Sequence, residues 1–529
     1  MHVVEGPVVT SWRVFWVPHD AVRGGVRRRV LEGWEDLPAR EEDVGARTGD
    51  AIFLSPDHRV DPVLSLYAQS LDFRSYSVET KRNYTTDIAL LLTFLWSRRR
   101  TWTEALARDL EDYEHWRRIA PENPERIGGS KWNRELAAFS SLFGWAAKTR
   151  WITHNPVATK QVMGRRGEVL TVPAAKAKDN RPSNVHWLTP RTWRLWTDVG
   201  LRGHTREGVP EPGWTGRLED RNVAFVRLVT SSGLRRLEAG ALLTFEVPKL
   251  RLSGGRYCHG KLAAEVTRSK KARTFYASVS AVGDVETYVE SSRAWAVRQA
   301  QKAGRYERLP VMRMVTEVTR GLKPMVRWRD RNDVHGETEL NRLTWQERML
   351  LFTDGPDGPE PLWLWLNEQG RPFQPHSWEG VFRTANQRCE RVLTPAEHLG
   401  WDPHKVYAPY ATVHAARHSF ALFMLVVLNE VMDQRYGLTQ AERRDFSLLY
   451  GDPWFMVQGL LGHASRETTV ETYLAPVRHL QLQSMLAETE APPDAPMPDL
   501  DRLFARVARE AEGIQDIDAR MAPSTGSAG

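Results

Sequence analysis

At 529 residues the chain exceeds one ordinary domain and can bury two or three cores. Its composition is that of a globular protein, 41% hydrophobic and 26% charged, and a formal charge of +7 favours a polyanionic partner. Only Cys258 and Cys389 are present, far apart, which excludes a disulfide scaffold or a cysteine-based zinc site and makes a reducing cytoplasm the default.

Of the 73 Lys and Arg residues only 13 are Lys. Arginine forks phosphates and carboxylates bidentately, and the scarcity of lysine shortens the list of candidates for any role that needs a titratable amine. The opening MHVVEGPVVTSWRVFWVPHD lacks a basic-then-apolar signal, and the longest apolar run, 420–428, is too short to span a bilayer. The expectation is an intracellular protein with no membrane partner.

Residues 1–61 mix a β-like opening, VVTSWRVFWV, with an acidic stretch, and no chemistry can be assigned to them. From 62 to 157 the pattern is helical. Tyr84, Ile88, Leu91, Leu92 and Leu95 form one apolar stripe, with Lys81, Arg82 and residues 98–100 on the other side. A second helix points Leu136, Phe139, Leu142, Phe143 and Ala146 inward and stops before His154-Asn155-Pro156. Residues 158–186 lack periodicity and read as an extended basic linker. A second periodic region covers 187–484. Residues 485–529 read as a partly disordered tail with a Pro/Asp spacer and an amphipathic helix at 503–507.

Three segments of the second region carry chemistry. In TSSGLRRLEAGALL, Gly233 permits a tight turn, and Arg235 opens a helix where an anion can be held. In VHAARHSFALFMLVV, His414 and Arg417 are three apart and share a helix face. His414 and His418 could instead form a metal pair, but Arg417 between them and the lack of an intervening glutamate disfavour it. In VQGLLGHASRETTVETYLAPV, His463 follows a Leu-Gly turn and Tyr473 comes ten residues later. Each taken alone is most often packing or surface. Together they suit phosphodiester cleavage: a tyrosine nucleophile, two arginines to stabilise a pentacovalent transition state, and histidines to move or orient protons.

These segments resemble, in order, the first arginine box, the His-x-x-Arg box, and the His box plus nucleophile of the tyrosine recombinase (phage integrase) family. The helical stretch ending in His-Asn-Pro-Val resembles its DNA-clamping core-binding domain, so the resemblance covers about 62–480. It implies a multidomain fold: a helical, SAM-like core-binding domain plus a mixed, mainly α, α/β catalytic domain. It also implies a site-specific integrase that cleaves and rejoins DNA without metal, ATP or any cofactor. Arg235 and Arg417 would clamp the phosphate, His414 and His463 would assist proton transfer, and Tyr473 would form a 3′-phosphotyrosyl intermediate. The family places a lysine on a β-hairpin between the first two boxes as general acid. TRSKKARTFY resembles that hairpin, yet aligning on Arg273 puts Arg268 where the lysine belongs. Arginine is a poor proton donor, so Lys270 is favoured, then Lys271, then Lys261.

Arg235 and Arg417 are 182 positions apart, more than in compact family members, which implies an insertion near 295–360 that includes the basic run RGLKPMVRWRDRNDVHGETELNR. A solvated surface elaboration is favoured there over an added DNA or protein contact. By family resemblance the partners are double-stranded DNA, a homotetramer on two DNA sites and an accessory DNA-bending or directionality factor, in a bacterial, nucleoid-associated cytoplasmic setting. Two other readings stay open: a catalytically silent DNA-binding regulator of the same fold, and a type IB-like topoisomerase.

Overall fold

The computed structural model describes residues 11–17, 43, 45–163, 168–179, 187–250, 257–319, 321, 323–394, 408–430, 453–462 and 514–515. The chain divides into two compact units, Met1–Ser183 and Asn184–Gly529.

In the first unit, β1 (Arg13–Trp16) pairs antiparallel with β2 (Ala51–Leu54). The helices α1 (Pro62–Gln69), α2 (Leu71–Ser75), α3 (Val78–Ser97), α4 (Ala107–Arg118) and α5 (Gly129–Lys148) follow. Their starts are written locally. Asp61 caps α1, its carboxylate accepting from the N–H groups of Val63 and Leu64 at 2.9 Å, with Pro62 at the first helical position. Ser77 caps α3 through the Thr80 N–H. The two predicted stripes are the core: Ile88, Leu91, Leu92 and Leu95 on α3 and Leu136, Phe139, Leu142, Phe143 and Ala146 on α5 are all buried. Phe53 of β2 lies in the same cluster. A boundary at 61/62 is therefore not structural, because the strand pair at 13–16 and 51–54 belongs to the helical unit.

Residues 158–186 correct the linker reading. They contain a hairpin of β3 (Thr159–Met163) and β4 (Val169–Pro173). The chain beyond it docks on α5: Trp132 donates to the Ala175 carbonyl at 2.9 Å, and Asn133 pairs in both directions with Ala177. Both strands are largely exposed, so neither carries the alternation that marks a half-buried strand.

The second unit is mixed and mainly helical. It holds β5 (Trp187–Leu188), α6 (Pro190–Gly200), α7 (Glu219–Ser232), α8 (Arg236–Gly240) and the hairpin β6 (Tyr257–Leu262)–β7 (Arg273–Ser278). Next come α9 (Val279–Tyr288) and α10 (Ala294–Lys302), with one π-turn, Val289–Arg293, between them. A five-stranded sheet follows, built from β8 (Arg313–Val318), β9 (Met325–Arg329), β10 (His335–Glu339), β11 (Leu351–Gly355) and β12 (Gly358–Pro361). Its order is β10-β9-β8-β11-β12, antiparallel except for β8 with β11. The short α11 (Trp345–Arg348) lies within it. The unit continues with α12 (Trp378–Leu393), α13 (Val413–Glu430) and α14 (Pro453–Leu461). Within the stretch read as a tail, β13 (Ile514–Gln515) pairs in parallel with β5; the helix expected at 503–507 lies outside the described residues.

The five-stranded sheet falls on the expected insertion. Two buried arginines fasten it to the helical core. Arg293, on the π-turn, donates to the carbonyls of Leu364 (3.1 Å) and Pro361 (2.5 Å) and pairs with Glu360. Arg348 donates to the Ala241 carbonyl at 3.0 Å and pairs with Glu246. Two arginines of the basic run are paired within the sheet: Arg327 bonds both Glu317 and Glu337, and Arg329 faces Asp354. Among the described residues, no helix is long and apolar enough to cross a membrane. Cys258 and Cys389 are both free and buried.

Candidate functional site

The site is assembled by two glycine turns. α7 ends at Gly233, whose φ of +63° is open to glycine at little cost, and a Cβ there would meet the Phe420 ring at 2.3 Å. The turn delivers Arg235 to the start of α8. α14 ends in the same way at Gly462, with φ +66°. Gly233→Ala combines left-handed strain with overpacking and should cost roughly 2–4 kcal/mol. Urea unfolding of the full chain measures it, and a loss under about 1 kcal/mol would mean that the turn tolerates a side chain.

Glu238, one turn into α8 and fully buried, is the centre of the cluster. Its carboxylate accepts from the Arg235 backbone N–H (2.9 Å), Arg235 Nη1 (3.0 Å) and Arg273 Nη2 (2.8 Å), with Arg417 Nη1 at 3.9 Å. Burial would raise its pKa, but the charges of Arg273, Arg417 and Arg235 outweigh it and hold the carboxyl below its ordinary value. Three guanidiniums around one carboxylate leave the cluster net positive.

Arg417 bridges the two turns. Nη1 donates to the Gly233 carbonyl at 2.5 Å and Nη2 to the Leu461 carbonyl at 2.6 Å. Both acceptors lie at helix C-termini, where carbonyls lack intrahelical partners and the dipole favours a cation. Arg417 is wholly buried, whereas the Arg235 side chain keeps 24% of its surface exposed. Arg235 is thus the arginine of the pair that an anion can reach directly in this conformation.

His414 stands in the first turn of α13, where Thr412 accepts from the Ala415 N–H. It reaches the surface, yet protein crowding, followed by the charges of Arg417, Arg235 and Arg268, pushes its pKa down to about 4. Since solvent access screens this shift, it sets a protonation state more than it stores stability. The imidazole is neutral at pH 7. His414 Nε2 and His418 Nε2 lie 3.0 Å apart, so one of them donates a proton and the other accepts it. The Trp187 and His418 rings meet nearly at right angles, their centroids 5.8 Å apart.

Arg268 follows β6 in the hairpin, and it is the hairpin residue whose charge is felt at His414. Lys270 is exposed in the same turn at φ +53°, its ammonium held by the carboxylate and the carbonyl of Glu265. Lys271 is exposed nearby, and Lys261 is exposed on β6. Replacing Arg268 with alanine should move the His414 titration upward, toward the ordinary imidazole range. Ring-proton NMR across pH 3–8 reads this, and an unmoved curve would place Arg268 outside the cluster.

Arg235, Arg417 and His414, chosen from separate sequence segments, are therefore brought together, while His463 and Tyr473 lie outside the described residues. Two members of the cluster were not anticipated. Glu238 carried the signal of an acidic residue three positions after a helix start. Arg273 shares the inward face of β7 with buried Phe275 and Ala277, where a charge needs a partner.

No family model matches the chain, and no curated protein matches it. Solved structures that resemble it include two recombinase complexes. One is the XerH site-specific recombinase bound to difH substrate in a pre-cleavage complex, with 12% identity, TM-score 0.36, and coverage of 81% of this chain and 85% of that one. The other is XerH bound to palindromic difH substrate in a post-cleavage complex, with 12% identity, TM-score 0.37, and coverage of 82% and 86%. The neighbours are site-specific recombinases. At these TM-scores the likeness carries no part of the functional assignment.

Proposed function

We propose that this protein is a site-specific DNA recombinase of the tyrosine type. The observation that carries the reading is the convergence of Arg235, Arg417 and neutral His414 on one net-positive cluster, although 182 positions separate the arginines. Excess guanidinium charge suits the non-bridging oxygens of a phosphodiester. Arg235 meets the phosphate from the exposed side, and Arg417 acts from beneath through its field and by fixing both turns.

In the proposed reaction the Tyr473 hydroxyl oxygen attacks the scissile phosphorus, and its proton passes to the imidazole of His463 or to neutral His414. The bond from phosphorus to the 5′-oxygen breaks. The leaving oxygen takes a proton from Lys270, which must first release Glu265; Lys271 and Lys261 are the next donors in line. The 3′-phosphotyrosyl link retains the phosphodiester energy, so attack by a 5′-hydroxyl of another strand reseals the DNA and frees the phenol without ATP. Double-stranded DNA is the substrate, a homotetramer on two sites the assembly, an accessory bending or directionality factor a further partner, and the bacterial cytoplasm the setting.

The test incubates full-length protein with 5′-end-labelled duplex fragments from its source genome and resolves covalent adducts on denaturing gels. Label should stay with the protein, as a 3′-phosphotyrosyl bond requires. Arg235→Ala should lower the adduct rate by roughly two to three orders of magnitude, as loss of one transition-state donor does elsewhere. The reading fails if no adduct forms. Uniform relaxation of a site-free supercoiled plasmid would favour the topoisomerase.

A further inference from the structure

Helix α14 leaves its last carbonyls without intrahelical partners, and one residue beyond Gly462 the chain reaches His463. Two arginines occupy those carbonyls. Arg417 takes Leu461, and Arg273 takes Leu460 through Nη1 at 3.0 Å. The other nitrogen of the same fork, Arg273 Nη2, holds Glu238 at 2.8 Å. The Arg273 side chain is only 13% exposed and lies over the glycine turn, where a Cβ on Gly462 would meet its Cδ at 2.8 Å. Its buried Nε has no partner among the described residues, a cost that an apolar side chain would not carry.

We propose that Arg273 is a positioning residue that fastens the end of α14 to the Glu238–Arg235–Arg417 cluster. One planar fork spans two elements: the carboxylate that orients the clamp, and the carbonyl that ends the helix leading toward His463 and Tyr473. The hairpin strand β7 is thereby a strut between the phosphate clamp and the start of the nucleophile segment. Lysine keeps the charge but, as a single point donor, cannot reproduce the fork. This inference rests on the recombinase reading for its consequence in catalysis, but not for its structural content.

The experiment compares full-length wild type, Arg273→Lys and Arg273→Gln by hydrogen exchange, duplex binding and adduct formation. In Arg273→Gln, the peptide covering 455–462 should exchange about tenfold faster while peptides in α7 and α9 stay unchanged. Adduct formation should fall about a hundredfold, the scale of a small misplacement, with duplex binding retained. Arg273→Lys should lie between them and regain part of the rate. Unchanged exchange at 455–462, or an adduct rate equal to wild type, overturns the proposal. So does faster exchange throughout the unit in both variants, with binding and cleavage lost in parallel, because that marks a general stabiliser. If wild type itself forms no adduct, the recombinase reading falls, and the exchange comparison alone decides whether Arg273 holds α14.

Discussion

Tyr473→Phe is expected to abolish the covalent DNA adduct while leaving duplex binding within experimental error of wild type. The substitution removes one hydroxyl oxygen and keeps the ring, so packing and the positive cluster are retained. Without that oxygen no bond to phosphorus can form, and the loss should be total, limited only by assay background. On the proposed reading, binding draws on phosphate neutralisation spread over many arginines, so it should persist and weaken steeply with added salt in wild type and variant alike. The measurement pairs adduct trapping with a salt titration of duplex affinity. An adduct of normal yield in the variant would move the nucleophile elsewhere. Loss of binding together with the adduct would mean that Tyr473 was structural.

The sequence made the helical unit legible because apolar residues at helical spacing have one low-energy use: the stripes on α3 and α5 are the core. It left β2 unread because its partner β1 lies more than thirty residues away, and strand pairing across such a gap has no local signature. The β3–β4 hairpin was missed for a different reason. Strands exposed on both faces, as Thr159–Met163 nearly is, carry no alternation to detect. In the site, Arg235, His414 and Arg417 were legible through short motifs whose chemistry constrains residue type. Glu238 and Arg273 were not, since their role exists only when β7, α8 and α14 meet. Arg268 shows the converse: residue type argued against it as a proton donor, while the fold lets its charge reach His414.

Glu238→Ala should destabilise the second unit strongly. The substitution deletes a buried carboxylate that faces three arginines and takes from wholly buried Arg417 the charge of Glu238, 3.9 Å away. Breaking a buried ion pair by removing one partner typically costs about 3–5 kcal/mol, more than the intact pair contributes, because the survivor keeps its desolvation penalty. Urea unfolding should show that loss, and a change below about 1 kcal/mol would mean that the helix-end carbonyls alone satisfy Arg417. The pH dependence supplies a second check. The Glu238 carboxyl is held below its ordinary value, so its contribution is fully present above the unfolded-state pKa of about 4.3 and is lost as pH falls through the lower folded value. Wild type should therefore lose part of its stability below about pH 4, and Glu238→Gln, which cannot titrate, should lose less over the same window. Cleavage should fall with stability only in part. At temperatures where Glu238→Gln stays folded, Arg235 loses the carboxylate that orients its guanidinium, so the adduct rate should drop while duplex binding holds. Because the same carboxylate keeps the clamp in place and neutralises one of its three charges, removing it should increase local positive charge and still slow the reaction. Net charge alone predicts tighter phosphate binding and faster cleavage, so the sign of the rate change separates orientation from electrostatics.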